Sequence, residues 1–254
     1  DERIPHFYSR LFDSLTILRD FLHADGEGLS DAELKTERFF ATQRILEMQK
    51  TSTDELIEMY WAGRVKAQDE MTTSSLGTLS VRAYFNHNSL TVEIFQARNL
   101  IPLDPNGFSD PFVQVELIPR RVFPSANYKM QQTQVQKKTL HPDFNEVFEF
   151  PTNLHQCRDA CSAILFTVMD HDVITANDFA GEAYMRLSNV PGVQKESRDT
   201  ISNLRGLRAI DLPLMSFTDK EKESIIFKTL ESRSLDKVAQ EFVKKQKSRV
   251  AVPY

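Results

Sequence analysis

The sequence of 254 residues has only two cysteines, one tryptophan and eight glycines, and it lacks any long apolar run. Two cysteines are too few for a disulfide framework, and "HQCRDAC" around Cys157 and Cys161 offers neither a fourth zinc ligand nor a second Cys/His cluster. No stretch approaches the roughly 20 apolar residues of a membrane-spanning helix, and no signal peptide opens the chain. These absences favour a reduced, cytosolic protein. Because the chain opens with Asp1, we expect it to be a piece of a longer protein.

The chain also lacks an excess of positive charge. Its net charge of −5 is distributed as −6 over residues 1–75, −2 over 76–215 and +3 over 216–254. No segment has the basic excess of a nucleic-acid-binding domain. There is no Gly-rich phosphate loop and no nucleophile elbow, and the six histidines are scattered. We therefore predict a binding protein, with no nucleic-acid partner and no enzymatic activity.

Hydrophobic periodicity divides the chain into three parts. Residues 4–22 have helical spacing, and capping boxes at Ser30, Ser52 and Thr218 open further helices. After the polar segment "EMTTSSLG" the period changes from 3.6 to 2, which is typical of strands. The pattern predicts an α+β protein, an eight-stranded antiparallel β-sandwich with helices at both ends. The expected strands are 77–85, 90–100, 111–118, 132–138, 146–150, 163–169, 181–186 and 209–213.

Two acidic loops follow predicted strands. "LIPLDPNGFSDPF" contains Asp104 and Asp110, and "MDHDVITANDF" contains Asp170, Asp172 and Asp178, with no lysine or arginine in either loop. Clustered carboxylates repel one another unless a cation neutralises them, and Ca²⁺ prefers flexible oxygen ligands. One aspartate alone is more often a turn residue, but five in two loops favour a calcium site.

A second candidate calcium loop is rejected. "DGEGLSDAELKT", from Asp25, matches an EF-hand only at its first position, because Ser30 replaces the glycine and Thr36 replaces the bidentate glutamate.

The motifs resemble those of a C2 domain of synaptotagmin-like topology: "GTLSVRAYF", "LTVEIFQARNLIPLDPNGFSDPFVQVEL", "KKTLHPDFNEVFEF" and "LFTVMDHDVITANDFAGEA". The flanks "LRDFLHADGEGLS", "ELIEMYW" and "TLESRSLDKVAQEFVKKQKSR" are similar to the Munc-thirteen (Unc-thirteen) family. The complete aspartate set favours its Munc-thirteen-four and brain-angiogenesis-inhibitor-associated branch. The resemblance implies the end of a helical MUN domain at 1–69, a linker at 70–76, a C2 domain at 77–215 and a helical tail at 216–254.

The resemblance also implies a function, calcium-dependent binding to anionic phospholipid membranes. Asp104, Asp110, Asp170, Asp172 and Asp178 would hold Ca²⁺, and Phe108, Val173 and Ile174 would enter the membrane. Candidate phosphoinositide contacts are Arg120, Arg121, Lys129, Lys137 and Lys138, although the lysine pair is also typical of a solvated face.

Family resemblance further implies a vesicle tethering and priming factor that acts with SNARE proteins in regulated exocytosis. Such a factor is cytoplasmic and peripheral on the vesicle or plasma membrane. Two alternatives are a calcium-independent C2 scaffold for protein interaction and a regulatory C2 module of a lipid-signalling enzyme.

Overall fold

The computed structural model describes residues 3–172, 176–194 and 206–253, which form two compact units. The helical unit contains Asp1–Tyr60 and Asp219–Gln246, and the β unit contains Trp61–Thr218 and Lys247–Tyr254. The division into these two units does not test the predicted domain boundaries at 69, 76 and 215, which stay predictions. Within the described ranges, no helix is long and apolar enough to cross a lipid bilayer.

The β unit is a sandwich of two four-stranded antiparallel sheets, ordered β5-β2-β1-β8 and β4-β3-β6-β7. The predicted eight-stranded α+β fold is confirmed for the described part of the chain. The strands are β1 (Thr78–Asn86), β2 (Ser89–Arg98), β3 (Pro111–Ile118), β4 (Gln131–Gln132), β5 (Asp143–Pro151), β6 (Ala163–Asp170), β7 (Asp178–Arg186) and β8 (Ile210–Pro213).

Alternation along the strands explains the core. In β1, Leu79, Val81, Ala83 and Phe85 lie two residues apart and share one buried face. They pack in one cluster with residues of the other sheet, such as Phe166. The sandwich core therefore follows directly from the period-2 pattern.

Three strand predictions need correction, and the first is 146–150, which extends as β5 from Asp143 to Pro151. The segment 132–138 was expected as a strand, but β4 ends at Gln132. Beyond it the N–H groups of Thr133, Gln136 and Thr139 donate to the carbonyls of Val113, Pro111 and Ser109, so the chain advances three residues for every two on the other side and forms no regular ladder. Strand β7 begins at Asp178 instead of residue 181, since Asp178 pairs in register with Asp170. This extension moves Asp178 from a loop into the sheet.

A buried carboxylate connects distant parts of the β unit. Glu182 on β7 is 1% exposed, and its Oε1 accepts from Arg64 Nη2 at 2.8 Å and from the Tyr184 hydroxyl at 2.5 Å. Its Oε2 accepts from Arg249. Arg64 lies on helix α4 (Thr53–Glu70), and Arg249 lies near the end of the chain. We name these four residues the Glu182 cluster.

Electrostatics in this cluster favour the charged carboxylate. Burial by itself raises the pKa of Glu182, but the Arg249 and Arg64 guanidinium groups hold that pKa below its usual value. Burial and the neighbouring Glu182 charge raise the pKa of Tyr184, so its hydroxyl stays protonated and donates. Removal of one partner would leave buried charge without compensation.

We therefore expect Glu182→Gln to lower the free energy of unfolding by about 3–5 kcal/mol, the usual cost of breaking a buried ion pair on one side. Denaturant melts at neutral pH would measure it. Because the folded-state pKa of Glu182 is lowered, its contribution is present above the ordinary carboxylate range and is lost as pH falls through the folded value. The difference in the free energy of unfolding between parent and variant should shrink below about pH 4.

Asp143→Asn is the control for this measurement, since Asp143 forms an exposed ion pair with Arg98 at 2.6 Å. Exposed pairs contribute little, so this variant should remain within about 1 kcal/mol of the parent. Equal effects of the two substitutions would show that burial does not decide the cost.

The helical unit contains α1 (Arg3–His23), α2 (Asp31–Leu34), α3 (Glu37–Lys50), the start of α4, α6 (Asp219–Lys222), α7 (Ile225–Ser232) and most of α8 (Lys237–Lys247). The short helix α5 (Leu154–Cys157) lies in the β unit. The predicted capping boxes at Ser30 and Ser52 are confirmed, with their N–H groups donating to Glu33 and Glu55 at 2.9 and 3.0 Å.

Two of the predicted helices are divided. The helix expected from Ser30 to Ser52 breaks after α2, because Thr36 caps a new helix and its Oγ1 accepts the Phe39 N–H at 3.2 Å. The helix expected from Thr218 ends at Lys222, and Ser224 caps α7 by accepting the Phe227 N–H. A second cap inside each segment was not recognised in the sequence.

The part of the C-terminal tail from Asp219 to Gln246 packs within the helical unit. Phe227 is fully buried, and its ring centroid lies 6.2 Å from that of Tyr60. Arg233 is 5% exposed and donates to the carbonyl oxygens of Gln49 at 3.2 Å and Thr51 at 2.5 Å, which end helix α3. Val238 on α8, in contrast, is 52% exposed.

Phe227 and Val238 provide a matched test of the tail. Phe227→Ala should lower the free energy of unfolding by about 3–5 kcal/mol because it empties a fully buried site. Val238→Ala should change it by less than about 0.5 kcal/mol because the side chain is largely in solvent. Urea melts of both variants would measure this, and a small effect of Phe227→Ala would contradict the packing of the tail.

Candidate metal centre

Strand register brings three of the five aspartates to one end of a sheet. Asp170 pairs with Pro111 on β3 and with Asp178 on β7. Asp110 directly precedes Pro111, so Asp110, Asp170 and Asp178 lie at the same end of three adjacent strands. This end of the sandwich is named the aspartate end.

The loop between β2 and β3 contributes Asp104. Gly107 has φ of 81°, a left-handed conformation that a residue with a side chain rarely adopts, and its N–H donates to the Asp104 carbonyl at 3.0 Å. Asn106 Oδ1 accepts the Phe108 N–H at 2.8 Å. Ser109 is buried and its hydroxyl donates to the Ile101 carbonyl at 3.0 Å. The turn is therefore ordered by its own hydrogen bonds and leaves Phe108 47% exposed.

The acidic loops are joined by hydrogen bonds from the backbone. Asp170 is 2% exposed, and its Oδ1 accepts the Asp110 N–H at 2.6 Å. Asp110 Oδ1 accepts the Lys138 N–H at 2.7 Å. The N–H of Asp172 donates to Asn177 Oδ1 at 3.1 Å. Backbone donors thus orient the carboxylates without neutralising them.

The charge on Asp170 is opposed by its surroundings. Burial raises its pKa above the usual value, and the negative charges of Asp104, Asp172 and Asp110 raise it further, against a lowering by the Asp110 N–H. Among the described residues, none of the five aspartates forms an ion pair with a lysine or arginine. The aspartate end therefore contains negative charge that lacks a cationic partner in the described chain.

The donor set has the chemistry of a calcium site. Several carboxylates and loop carbonyls at one position are the oxygen ligands that Ca²⁺ prefers. As placed, however, no group of three or more His, Cys, Asp or Glu side chains in the described ranges could hold a metal ion. The residues fit calcium by type, and their side chains are not closed around an ion position.

The predicted membrane contacts are only partly described. Phe108 is exposed in the first loop, as a membrane-inserting residue must be. Val173 and Ile174 lie outside the described residues. Their insertion stays a prediction.

The five candidate phosphoinositide cations do not form one patch. All five are exposed, but Lys137 and Lys138 lie at the aspartate end, where the Lys138 N–H reaches Asp110. Arg120 and Arg121 follow the other end of β3, beyond Ile118. Lys129 precedes β4, which runs antiparallel to β3, so it lies on the same side as the arginines. Strand direction thus divides the five cations between the two ends of the sandwich, and their role as phosphoinositide contacts stays a prediction.

Two contributions to the site were missed in the sequence analysis. The Lys138 N–H reaches Asp110 through a residue with φ of 53°, a conformation that no sequence signal at this lysine indicates. Asn177 accepts the Asp172 N–H with its Oδ1, and an asparagine in a loop was a usable signal, because its side chain commonly accepts a nearby backbone N–H.

Comparison of the sequence with known proteins also indicates a C2 domain. The sequence pattern of the C2 domain family matches residues 88–204. The chain is 39% identical to human BAI1-associated protein 3 over 243 residues, which is 95% of this chain and 20% of that protein. It is also 39% identical to human Protein unc-13 homolog D over 244 residues, 95% of this chain and 22% of that protein. The chain belongs to the Unc-13 family.

The predicted family is thus confirmed, including the branch that contains BAI1-associated protein 3. The chain spans about a fifth of the length of these Unc-13 relatives. A third relative, mouse Synaptotagmin-7, is 34% identical over 135 residues, 52% of this chain and 32% of that protein. The β unit is the part of this Unc-13 chain that has the C2 fold.

The raised pKa of Asp170 leads to a stability prediction for the calcium-free protein. Asp170→Asn should raise the free energy of unfolding at neutral pH by about 0.5–2 kcal/mol, because it removes a disfavoured charge and keeps an oxygen for the Asp110 N–H. With a raised folded pKa, the parent loses stability as pH rises from about 4 through that value. The two proteins should therefore converge at low pH.

Denaturant melts across a pH series would test this prediction, with Asp178→Asn as the control. Asp178 is exposed, and its substitution should change stability less. If Asp170→Asn is less stable than the parent at neutral pH, the prediction is contradicted. The carboxylate would then stabilise the fold by more than its unfavourable charge destabilises it.

Proposed function

We propose that this chain binds anionic phospholipid membranes in response to calcium, through the aspartate end of its C2 domain. The single observation that supports this most strongly is the strand register that sets Asp110, Asp170 and Asp178 side by side without a cationic partner in the described chain. Ca²⁺ would be held by these residues together with Asp104 and Asp172, and bound Ca²⁺ would supply positive charge for lipid phosphate groups.

Charge supports this proposal. The segment 76–215 has a net charge of −2, and without the five aspartates it would have +3. Binding of two divalent cations would change the net charge of this segment from −2 to +2, and that of the five aspartates together with the exposed Lys137 and Lys138 from −3 to +1. The aspartate end would therefore repel an anionic membrane before calcium binds and attract it afterwards.

Apolar residues would then deepen the contact. Phe108 is 47% exposed at the tip of the first loop, and Val173 and Ile174 occupy the corresponding part of the third loop in the sequence. Transfer of one such side chain out of water contributes at most about 1.5–3 kcal/mol. We propose all three as membrane-inserting residues.

In the whole protein, we propose a non-enzymatic role in vesicle tethering and priming during regulated exocytosis. Membership of the Unc-13 family supports this role, with SNARE proteins as the partners that the family resemblance implies. A calcium-responsive membrane contact of this kind belongs to a cytoplasmic protein that is peripheral on the vesicle or plasma membrane.

A second function, a calcium-independent scaffold for protein interaction, is favoured by one observation. The carboxylates in the described ranges are not arranged as a closed metal site. In that case the aspartates would only orient the loops, as the hydrogen bonds from Asp110 and Lys138 do. Calcium titration separates the two functions.

Co-sedimentation with phosphatidylserine vesicles is the test of calcium-dependent binding. The parent should bind in millimolar calcium and bind far less in chelator. Asp170→Asn combined with Asp172→Asn should weaken the calcium-dependent binding at least about tenfold, a loss of about 1.4 kcal/mol or more. The same double variant should keep its circular-dichroism spectrum, because the amide oxygens retain the acceptor positions.

Glu37→Gln combined with Glu241→Gln is the matched control, since it removes two exposed carboxylates from the helical unit. It should bind as the parent does. Equal binding of the parent in calcium and in chelator, together with a melting temperature unchanged by calcium, would leave the scaffold function as the better explanation.

A further inference from the structure

The edge of the sheet β5-β2-β1-β8 has a gap where the short strand β8 begins. Strand β1 pairs with β8 from Thr78 to Val81, and the last pair is Val81 with Ile210. Four residues further along β1, the Phe85 N–H donates to the Pro191 carbonyl at 2.8 Å. At about 3.3 Å for each residue, roughly 13 Å of the β1 edge lies between these two contacts. This stretch is named the edge gap.

The backbone of Ala83 faces the edge gap. In an antiparallel strand, the N–H and C=O groups of alternate residues point to the same side. The Gly77 carbonyl accepts the Leu214 N–H at 2.9 Å on the β8 side, and the Phe85 N–H points to that side as well. The register shift between β1 and β2 places its extra residue, Phe95, in β2, so the alternation along β1 is kept. Ala83 therefore directs both of its backbone groups into the gap.

Ala83 has no backbone partner on this side among the described residues. Continuation of the β1–β8 register would place Arg208 opposite Ala83, but no hydrogen bond joins the two backbones. The chain leaves the strand here, and the Leu207 carbonyl instead accepts from Arg82 Nη1 at 3.0 Å. Ala83 is 5% exposed, and buried backbone groups are nearly always hydrogen-bonded. A ligand with its own donor and acceptor would complete this position.

A cavity of about 350 Å³ opens beside the edge gap, within the β unit. Its apolar lining includes Val81, Met185, Val190, Ile210 and Leu212. Pockets that bind small ligands have volumes of about 300–1,000 Å³ and combine an apolar lining with a few polar groups. Ala83 and Arg208 also line the cavity, and they supply polar groups that a ligand can reach.

Arg208 is the cation that is available to a ligand. Its side chain is exposed and forms no ion pair with the described residues. The other two arginines in the described lining are engaged, because Arg82 binds Glu93 and Arg186 Nη2 lies 3.3 Å from Asp69 Oδ2. An anionic group that enters the cavity would therefore bind Arg208.

We propose that this cavity binds the carboxyl-terminal residues of a peptide from a partner protein. One peptide unit would pair with the N–H and C=O of Ala83 and extend the sheet, as in other complexes in which a peptide adds to a sheet edge. An apolar side chain would occupy the cavity, and the terminal carboxylate would bind Arg208. This binding requires neither calcium nor a membrane, so it is independent of the function proposed above.

The length of the edge gap favours a chain end over an internal segment. Roughly 13 Å accommodates about three extended residues. Ile210 and Pro191 occupy the positions that a longer partner strand would need on either side. A chain end has to leave the edge on one side only.

Charge favours the carboxyl end of the peptide over its amino end. A guanidinium group binds a carboxylate through two parallel hydrogen bonds, and Arg208 is free to do so within the described chain. The two carboxylates of the described lining already have partners, since Asp69 is paired with Arg186 and Asp211 accepts the Ser80 hydroxyl.

Fluorescence anisotropy with labelled hexapeptides tests the proposal. The last three residues vary over Val, Leu and Phe, and each peptide is made with a free carboxylate and as its carboxyl-terminal amide. In chelator and without vesicles, at least one free-acid peptide should bind the parent with a Kd below about 1 mM. Its amide should bind at least about tenfold more weakly, because the amide has no charge for Arg208.

Variants at exposed positions of the cavity separate the two contacts. Arg208→Gln should weaken the free-acid peptide at least about tenfold and leave the amide unchanged, whereas Arg208→Lys should keep part of the binding. Ile210→Ala should weaken both forms about threefold or more, because it removes part of the apolar lining. Ile210 is 45% exposed, so this change should not unfold the protein. Arg44→Gln, at an exposed arginine of the helical unit, is the matched control and should bind as the parent does.

Hydrogen exchange measured by NMR tests the pairing with the backbone. In the free protein, the Ala83 amide should exchange at least about tenfold faster than the Phe85 amide, which donates to Pro191. The bound peptide should slow exchange at Ala83 and leave Phe85 nearly unchanged.

Four results would overturn the proposal. They are the absence of any free-acid peptide with a Kd below about 1 mM, equal binding of acids and amides, unchanged binding by Arg208→Gln, and an Ala83 amide that is already protected in the free protein. Binding that depends on Arg208 but leaves exchange at Ala83 unchanged would contradict the addition of a strand and show an ionic contact only.

Discussion

A carboxylate buried between two arginines can stay charged only while both partners remain, because the low-polarity interior penalises any charge that is left alone. Glu182 therefore constrains three separate segments of the β unit. Arg64 fixes helix α4, Arg249 fixes the last residues of the chain, and Tyr184 shares the same strand. The strand that carries Glu182 also begins with Asp178, so the cluster and the candidate metal centre depend on one element.

The sheet β4-β3-β6-β7 positions the candidate metal centre. Register across β3, β6 and β7 aligns Asp110, Asp170 and Asp178 at one end of the sheet. Paired strands form a rigid scaffold, whereas the loops that they carry can differ in sequence and charge. The strands therefore fix where the aspartates lie, and the loops supply the remaining candidate ligands Asp104 and Asp172.

Much of the fold was predictable from local patterns. Period-2 alternation indicated the strands, and Ser30 and Ser52 with glutamates three residues later indicated helix starts. The acidic residues of the candidate metal centre were identified by spacing and by the absence of nearby lysine or arginine. Errors arose where a contact with another strand decided the outcome, as with the short β4, whose continuation pairs irregularly with β3. The five candidate cations lie at two ends of the sandwich, because proximity in sequence says nothing about strand direction.

The sequence by itself determined which residues bury, which strands form and how many aspartates follow them, because burial and backbone propensity depend on side chains a few positions apart. Tertiary structure alone decided that Asp110, Asp170 and Asp178 become neighbours, that Arg121 lies at the opposite end, and that Arg64 and Arg249 meet at Glu182. These relations join residues separated by as many as 118 positions. They arise from the pairing of strands and the packing of a buried charge, which no local pattern encodes.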